Sequence, residues 1–196
     1  MKRHGRESLT YSSENVPYRK LWETLSWAVD NNVHTLAGLR RLVAEDRLSD
    51  LIALSDAFYA SEVAAAVAAI NDRLSDLRMI IVSGPSSSGK TTTTIKIEEA
   101  LPNHRLVPIN VDNYFFDLET HPRDPRGDFD FETPQALDME LLNRHLKQLL
   151  DGEQVDIPFY DFKTGKRDGV AAQLKLERGD IILIDSLHGF YEPMTD

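Results

Sequence analysis

The feature that most constrains this chain is Gly84-Pro85-Ser86-Ser87-Ser88-Gly89-Lys90-Thr91, which fits G-x-x-x-x-G-K-[ST], the phosphate-binding loop. The pattern has mechanical meaning only between a strand and a helix. Met79–Ser83, just upstream, is a short run rich in β-branched residues and predicts a buried strand. Thr91 to Leu101 predicts a helix, stopped by Pro102. Glycines let the backbone turn tightly and approach a ligand. Successive N–H groups then converge on a phosphate at the positive end of the helix. On this reading residues 84–92, Thr92 included, bind ATP; Lys90 neutralises the β/γ-phosphates and the Thr91 hydroxyl ligates Mg²⁺. The alternative, a chance Gly/Ser turn before a helix, needs both flanks to be coincidence.

The 196 residues suffice for one α/β domain with a helical appendage. A net charge of −10 argues against nonspecific attraction to nucleic acid, which needs clustered Lys and Arg. The absence of cysteine excludes disulfides, thiolate chemistry and Cys-ligated zinc, and is compatible with a cytoplasmic setting. No apolar run is read as approaching the roughly 18 residues of a membrane helix, and no apolar segment follows the basic start as in a secretory signal. The expected partners are therefore small molecules, with neither nucleic acid nor membrane.

Residues 1–16 are polar and expected to be a flexible N-terminus. Residues 17–76 predict an all-helical segment. Leu21, Trp22, Leu25 and Val29 recur at helical spacing until Asn31-Asn32. Thr35 reads as the N-cap of a second helix carrying Leu36, Leu39, Leu42 and Val43. A further segment holds Leu48, Leu51, Ile52 and Leu54, and Ser61 reads as the cap of another, with Val63, Val67, Ile70 and Leu74. The segment reads as scaffold, and His34 as a boundary residue.

Residues 77–196 read as the P-loop domain, a mostly parallel sheet flanked by helices. Leu106–Asp112 predicts its second strand, with Pro108 pointing to a sheet edge or an irregular start. Asp112 falls where that strand ends, the side on which doubly wound sheets bind ligands. It can be a base toward a substrate hydroxyl, or a turn-capping carboxylate. Residues 117–133 predict a loop, Thr133-Pro134 a helix start and Gly152 its stop, with core leucines between. Residues 158–167 mix aromatics and charges, as a base-stacking segment or as a hairpin with a solvated tip. Ile181–Asp185 is an apolar strand ending in a carboxylate, the arrangement that holds Mg²⁺ beside a phosphate loop.

Taken together, GPSSSGKTT from Gly84, NVDNYF from Asn110, FDFETPQALD from Phe129, IPFYDFKTGKR from Ile157 and ILIDSLHGF from Ile182 resemble the uridine kinase and phosphoribulokinase family, in order, over about residues 77–193. The helices before them resemble the segment preceding the kinase domain in longer bacterial nucleoside kinases, whose N-terminus is similar to part of threonyl-tRNA synthetase. The resemblance implies that Asp112 is the general base toward a sugar 5′-hydroxyl, with Lys90 and Thr91 serving ATP and Mg²⁺. It places Tyr114 with the substrate, Glu132 where an Asp holds the ribose hydroxyls, and Tyr160 and Arg167 along the nucleoside site. Asp185 stands where uridine kinases usually have Glu. Relatives are often oligomeric, so a homo-oligomer is compatible with this sequence.

Two departures stand out. Gly165 replaces a His that helps recognise the pyrimidine, and the chain ends at Asp196, before the further strands and the Arg-rich lid of the family. It therefore reads as a fragment or a shortened relative. The expected function is ATP-dependent phosphorylation of a uridine- or cytidine-type nucleoside. The alternatives are a family kinase acting on a sugar phosphate or pantothenate, and a nucleotide-binding module without catalysis.

Overall fold

The computed structural model describes residues 18–194. The N-terminal stretch expected to be flexible lies outside the described residues. By contact density the chain divides into two compact units, Met1–Tyr59 and Ala60–Asp196.

The first unit holds α1 (Tyr18–Asp30), α2 (Leu36–Ala44) and the opening of α3 (Leu48–Asn71). Asn32 adopts a left-handed conformation (φ 59°) just beyond α1, where Asn is among the few residues that tolerate it. The Thr35 side chain accepts the Gly38 N–H at 3.1 Å, capping α2 as expected. Trp27 stacks on Phe58 with ring centroids 5.5 Å apart. Little else is covered. Leu42 is the buried apolar residue of this unit, whereas the α1 stripe of Leu21, Trp22, Leu25 and Val29 is at least half exposed.

Two sequence expectations are corrected here. Ser61 caps nothing: α3 runs through it without a break, because no Gly or Pro interrupts residues 48–71 and alanines propagate the helix. That continuity also makes α3, at 24 residues with a mean hydropathy of 1.4 in its best window, long and apolar enough to cross a membrane by length and composition. A single such helix is weak evidence for a span, and Val67 and Ile70 of α3 pack against the hydrophobic cluster of Ile80, Ile97 and Leu183.

The second unit is built on a three-stranded parallel sheet of β1 (Met79–Ser83), β5 (Ile181–Ser186) and β2 (Leu106–Asn110), in the order β1-β5-β2. Central β5 is apolar from Ile181 to Ile184 because both of its faces are covered. On one side Val67, Ile70, Leu74 and Leu77 join Ile97 of α4 (Lys90–Ala100) and Leu101 just beyond it over Ile80, Leu106 and Leu183. On the other, α5 (Met139–Leu150) drives Leu142, Leu146 and Leu149 against Val107, Ile109, Ile182 and Ile184. Pro108 sits on β2, an edge strand of the described sheet, where its missing N–H breaks no ladder. The strip from residue 158 to 167 is a hairpin of β3 (Val155–Asp161) and β4 (Lys166–Leu174).

The helix expected from Thr133-Pro134 starts later. Pro134–Ala136 is a single 3-10 turn, and Leu137 is pulled into a bridge with Phe115 that forces it extended. Asp138 then caps α5, accepting the Leu141 N–H at 3.0 Å. The stop at Gly152 (φ 82°) is as the sequence predicts. The second strand also closes two residues early. Asp112 lies in a 3-10 turn, Val111–Tyr114, and Asn110 Oδ1 accepts its N–H at 3.0 Å.

Candidate active site

Parallel register explains why distant residues meet. Asp185 on β5 pairs with Val82 on β1 and with Asn110 on β2. The carboxyl ends of three strands thus align, and the loops leaving them share one cleft of about 700 Å³. Ser86, Ser87, Lys90 and Thr91 line it from the loop after β1, Asp112 from the turn after β2, and Asp185 and His188 from the end of β5. Glu132 comes from the long loop, and Phe115, Phe131 and Phe162 complete the wall.

The phosphate loop needs its special backbone. Gly89 (φ 87°) is left-handed ahead of α4, and a Cβ at Gly84 would lie 2.7 Å from Ser88 Oγ. Lys90 Nζ donates to the Pro85 carbonyl at 3.1 Å and lies 3.8 Å from Asp185. The Thr91 hydroxyl donates to Asp185 at 2.9 Å. Among the described residues there is no cluster of three or more Asp, Glu, His or Cys able to hold a metal. The Thr91–Asp185 pair is nevertheless the donor set that suits Mg²⁺, a hard cation that keeps several waters and takes phosphate oxygens for the rest of its shell. A helix N-terminus, a lysine and these two oxygens fit a Mg²⁺-bound triphosphate.

Asp112 opens onto the same cleft. Loss of water among the cleft walls raises its carboxyl above the ordinary range; the neighbouring Asp185 charge pushes the same way and Lys90 opposes both. A carboxylate raised in this way is a stronger base than a solvated one.

The other expected substrate residues do not join the cleft wall. Tyr114 is fully buried, its hydroxyl 3.1 Å from His145 Nδ1, and burial raises it. Tyr160 is buried against Phe115 and Phe162, and its hydroxyl has no partner. Arg167 pairs with Asp138 at 2.9 Å, and its backbone N–H donates to Asp117. These three therefore back the wall. Thr92 is exposed in the first turn of α4 and is not among the residues lining the cleft. Gly165 closes the hairpin turn with φ 67°, and a Cβ there would lie 2.1 Å from Leu118 Cδ1. Leu118 fills the space a side chain would take.

His188 was not singled out from sequence, although it lies within the ILIDSLHGF block. A lone His three residues beyond a strand carries no spacing signal. Its turn is fixed by three bonds: His188 N–H to Ser186 Oγ at 3.0 Å, Gly189 N–H to Ser83 Oγ at 3.1 Å, and Ser83 Oγ to the Leu187 carbonyl at 3.3 Å. Burial lowers the imidazole's pKa, partly offset by Asp130.

A profile of the Phosphoribulokinase / Uridine kinase family matches residues 79–194, which takes in the whole sheet and cleft. A uridine kinase of Chloroflexus aurantiacus is 37% identical over 116 residues, 59% of this chain and 54% of that one. Uridine-cytidine kinase B of Dictyostelium discoideum is 33% identical over 113 residues, 58% of this chain and 46% of that one. A solved structure described as a possible uridine kinase from Bacillus stearothermophilus is 20% identical, with a TM-score of 0.48, over 69% of this chain and 78% of that one. The chain spans about half the length of the curated relatives it matches. With the family pattern extending over more than half of the sequence and the P-loop cleft formed within it, the chain belongs to the phosphoribulokinase and uridine kinase family.

Proposed function

We propose that this chain carries the ATP site and the acceptor site of a kinase that phosphorylates the 5′-hydroxyl of a uridine- or cytidine-type nucleoside. One observation carries the reading: Asp112, a carboxylate of raised basicity, shares a single cleft with Lys90, Thr91 and Asp185. In it, residues 84–91 bind the triphosphate, and Thr91 and Asp185 hold Mg²⁺. Bound MgATP supplies the phosphoryl group and neutralises its charge as it transfers. Asp112 orients the acceptor hydroxyl in line and takes its proton. The pool of ATP and free nucleoside this requires leads us to assign the protein to the cytoplasm.

The lining also bears on the acceptor. Phe115, Phe131 and Phe162 offer apolar and stacking surface for a planar base. Among the described lining residues Lys90 is the one permanent cation, against Asp112, Glu132 and Asp185. A sugar phosphate or pantothenate would bring its own negative charge to that acidic end. A neutral nucleoside avoids this repulsion, so the lining favours it over both.

The test is ADP release coupled to a spectrophotometric readout, with ATP and a panel of nucleosides, sugar phosphates and pantothenate. Turnover with uridine or cytidine above the others is the expected result. Turnover confined to an anionic acceptor would overturn the nucleoside assignment. Nucleotide binding without phosphoryl transfer to any of them, unchanged in Asp112→Asn, would leave a non-catalytic binding module.

A further inference from the structure

We infer that His188 is an acceptor-contacting residue, which reads a polar group of the substrate in the cleft it shares with Glu132. The inference rests on the kinase reading above, and it deepens that reading by naming a specificity residue.

Three observations converge on the imidazole. First, His188 lines the same cleft as Asp112 and Glu132, so it is within the space that an acceptor must enter. Second, its turn is rigid. The backbone on either side is tied to Ser83 and Ser186, and Gly189 packs so closely on β1 that a Cβ there would lie 2.6 Å from Ile81 Cγ2 and 2.7 Å from Ser83 Cβ. A side chain leaving such a turn is aimed before the substrate arrives, which reduces the ordering cost of a contact. Third, among the described residues no hydrogen bond is made to either ring nitrogen, although burial disfavours its charged form. The neutral ring offers one donor and one acceptor. Asp130, from the loop that carries Phe131 and Glu132, is the charged group that acts on the ring, and both of those neighbours line the same cleft.

Chemistry selects the ligand class. A neutral imidazole in a cleft with a carboxylate suits hydroxyl and amide groups: the ring can donate or accept, and the carboxylate accepts from an O–H or N–H. It does not suit a phosphate, which needs cations. The contact is also one that position 165 cannot supply: Gly165 holds a left-handed conformation against Leu118 and presents no side chain. In this chain the imidazole that meets the acceptor therefore comes from the end of β5 and not from the hairpin.

The experiment measures uridine and ATP binding by calorimetry for the whole chain and for His188→Asn and His188→Ala, alongside KM for each substrate and the melting temperature. The expected result is a loss of uridine affinity of roughly three- to tenfold in His188→Ala, the scale of one neutral hydrogen bond. ATP affinity and melting temperature should stay unchanged, and His188→Asn, whose amide keeps a donor and an acceptor, should recover part of the loss. Equal losses for ATP and uridine, a lowered melting temperature, or no loss at all would overturn the role of His188 and leave the nucleoside reading intact. If the unmodified chain neither binds nor phosphorylates a nucleoside but accepts another compound of the panel, the nucleoside reading fails. The same variants, measured on that compound, then support His188 by a selective loss or overturn it by none.

Discussion

Helices α1 and α5 are written in the same code and meet opposite fates. Both repeat leucines and other large apolar residues at three- and four-residue spacing. In α5 the stripe is covered: Leu142, Leu146 and Leu149 are at most 4% exposed, pressed onto the sheet. In α1 the stripe is bare: Trp22 is 72% and Leu25 60% exposed, while Trp27 turns toward Phe58. Periodicity specifies a helix and the face it would bury. It does not say whether a surface is present to receive that face. α5 has one because β5 and β2 lie beneath it; within its own compact unit α1 does not.

The sharpest way to break this contrast is to ask where the chemistry lives. Asp112→Asn should lower kcat by about 10²–10⁴, the usual range for losing a general base. Trp22→Ser in the first unit should leave turnover within a factor of about two of the parent, since the side chain is exposed and is not among the residues lining the cleft. A large loss in Trp22→Ser, seen in the same coupled assay, would mean that the two units share the work.

Packing gives the next largest difference. Leu142→Ala removes a fully buried side chain and should cost about 2–5 kcal/mol in urea unfolding. Leu25→Ala should stay within about 0.5 kcal/mol. A cost above 1–2 kcal/mol for Leu25→Ala would show, on the same approximate scale, that something covers the α1 stripe in solution.

Gly165→Ala is a smaller perturbation inside the kinase unit. The new methyl would collide with Leu118 in a backbone region that L-residues avoid, so a loss of about 1–3 kcal/mol is expected by thermal or urea unfolding. A neutral outcome would mean that the hairpin tip is looser than its contacts with Leu118 imply.

The smallest effect concerns pH. The Asp112 carboxyl is raised in the fold, so the native state binds that proton more tightly than the unfolded chain. Its contribution to stability is fully present below the unfolded pKa and is lost as pH rises through the raised folded value. At neutral pH the ionised group is therefore a burden, and Asp112→Asn should melt higher than the parent even as its kcat falls. The gain should vanish in acid, where both side chains are neutral. The acid limb of kcat should likewise lie above that of an ordinary carboxylate. A melting gain that persists unchanged at acidic pH would point to packing instead of charge.

Much of the site was legible in the sequence because its logic is local. The phosphate loop is contiguous, and each strand that ends in a carboxylate announces both its own edge and its own acid. The hidden parts depended on neighbours. Ser61 has a capping side chain, yet nothing in its vicinity stops the helix from running through it. Thr133-Pro134 starts a turn that Leu137, held by Phe115, cuts short. Tyr160 and Arg167 lie in the expected hairpin, but Tyr160 is buried against Phe115 and Phe162 and Arg167 is paired with Asp138, and neither lines the cleft. His188 bears no spacing signal, and only the bonds to Ser83 and Ser186 turn it into the cleft.

The sequence by itself determined that a phosphate loop would form between a buried strand and a helix, because glycine sterics, β-branching and helix propensity act over a few residues. It also singled out Lys90, Thr91, Asp112 and Asp185 as candidates for the chemistry. The tertiary structure alone decided that β5 inserts between β1 and β2, which brings Asp185 beside Thr91 and into one cleft with Asp112. It alone decided that the α5 stripe is buried while that of α1 is not. Strand order and burial are set by contacts between residues tens of positions apart, and no local period in the chain encodes them.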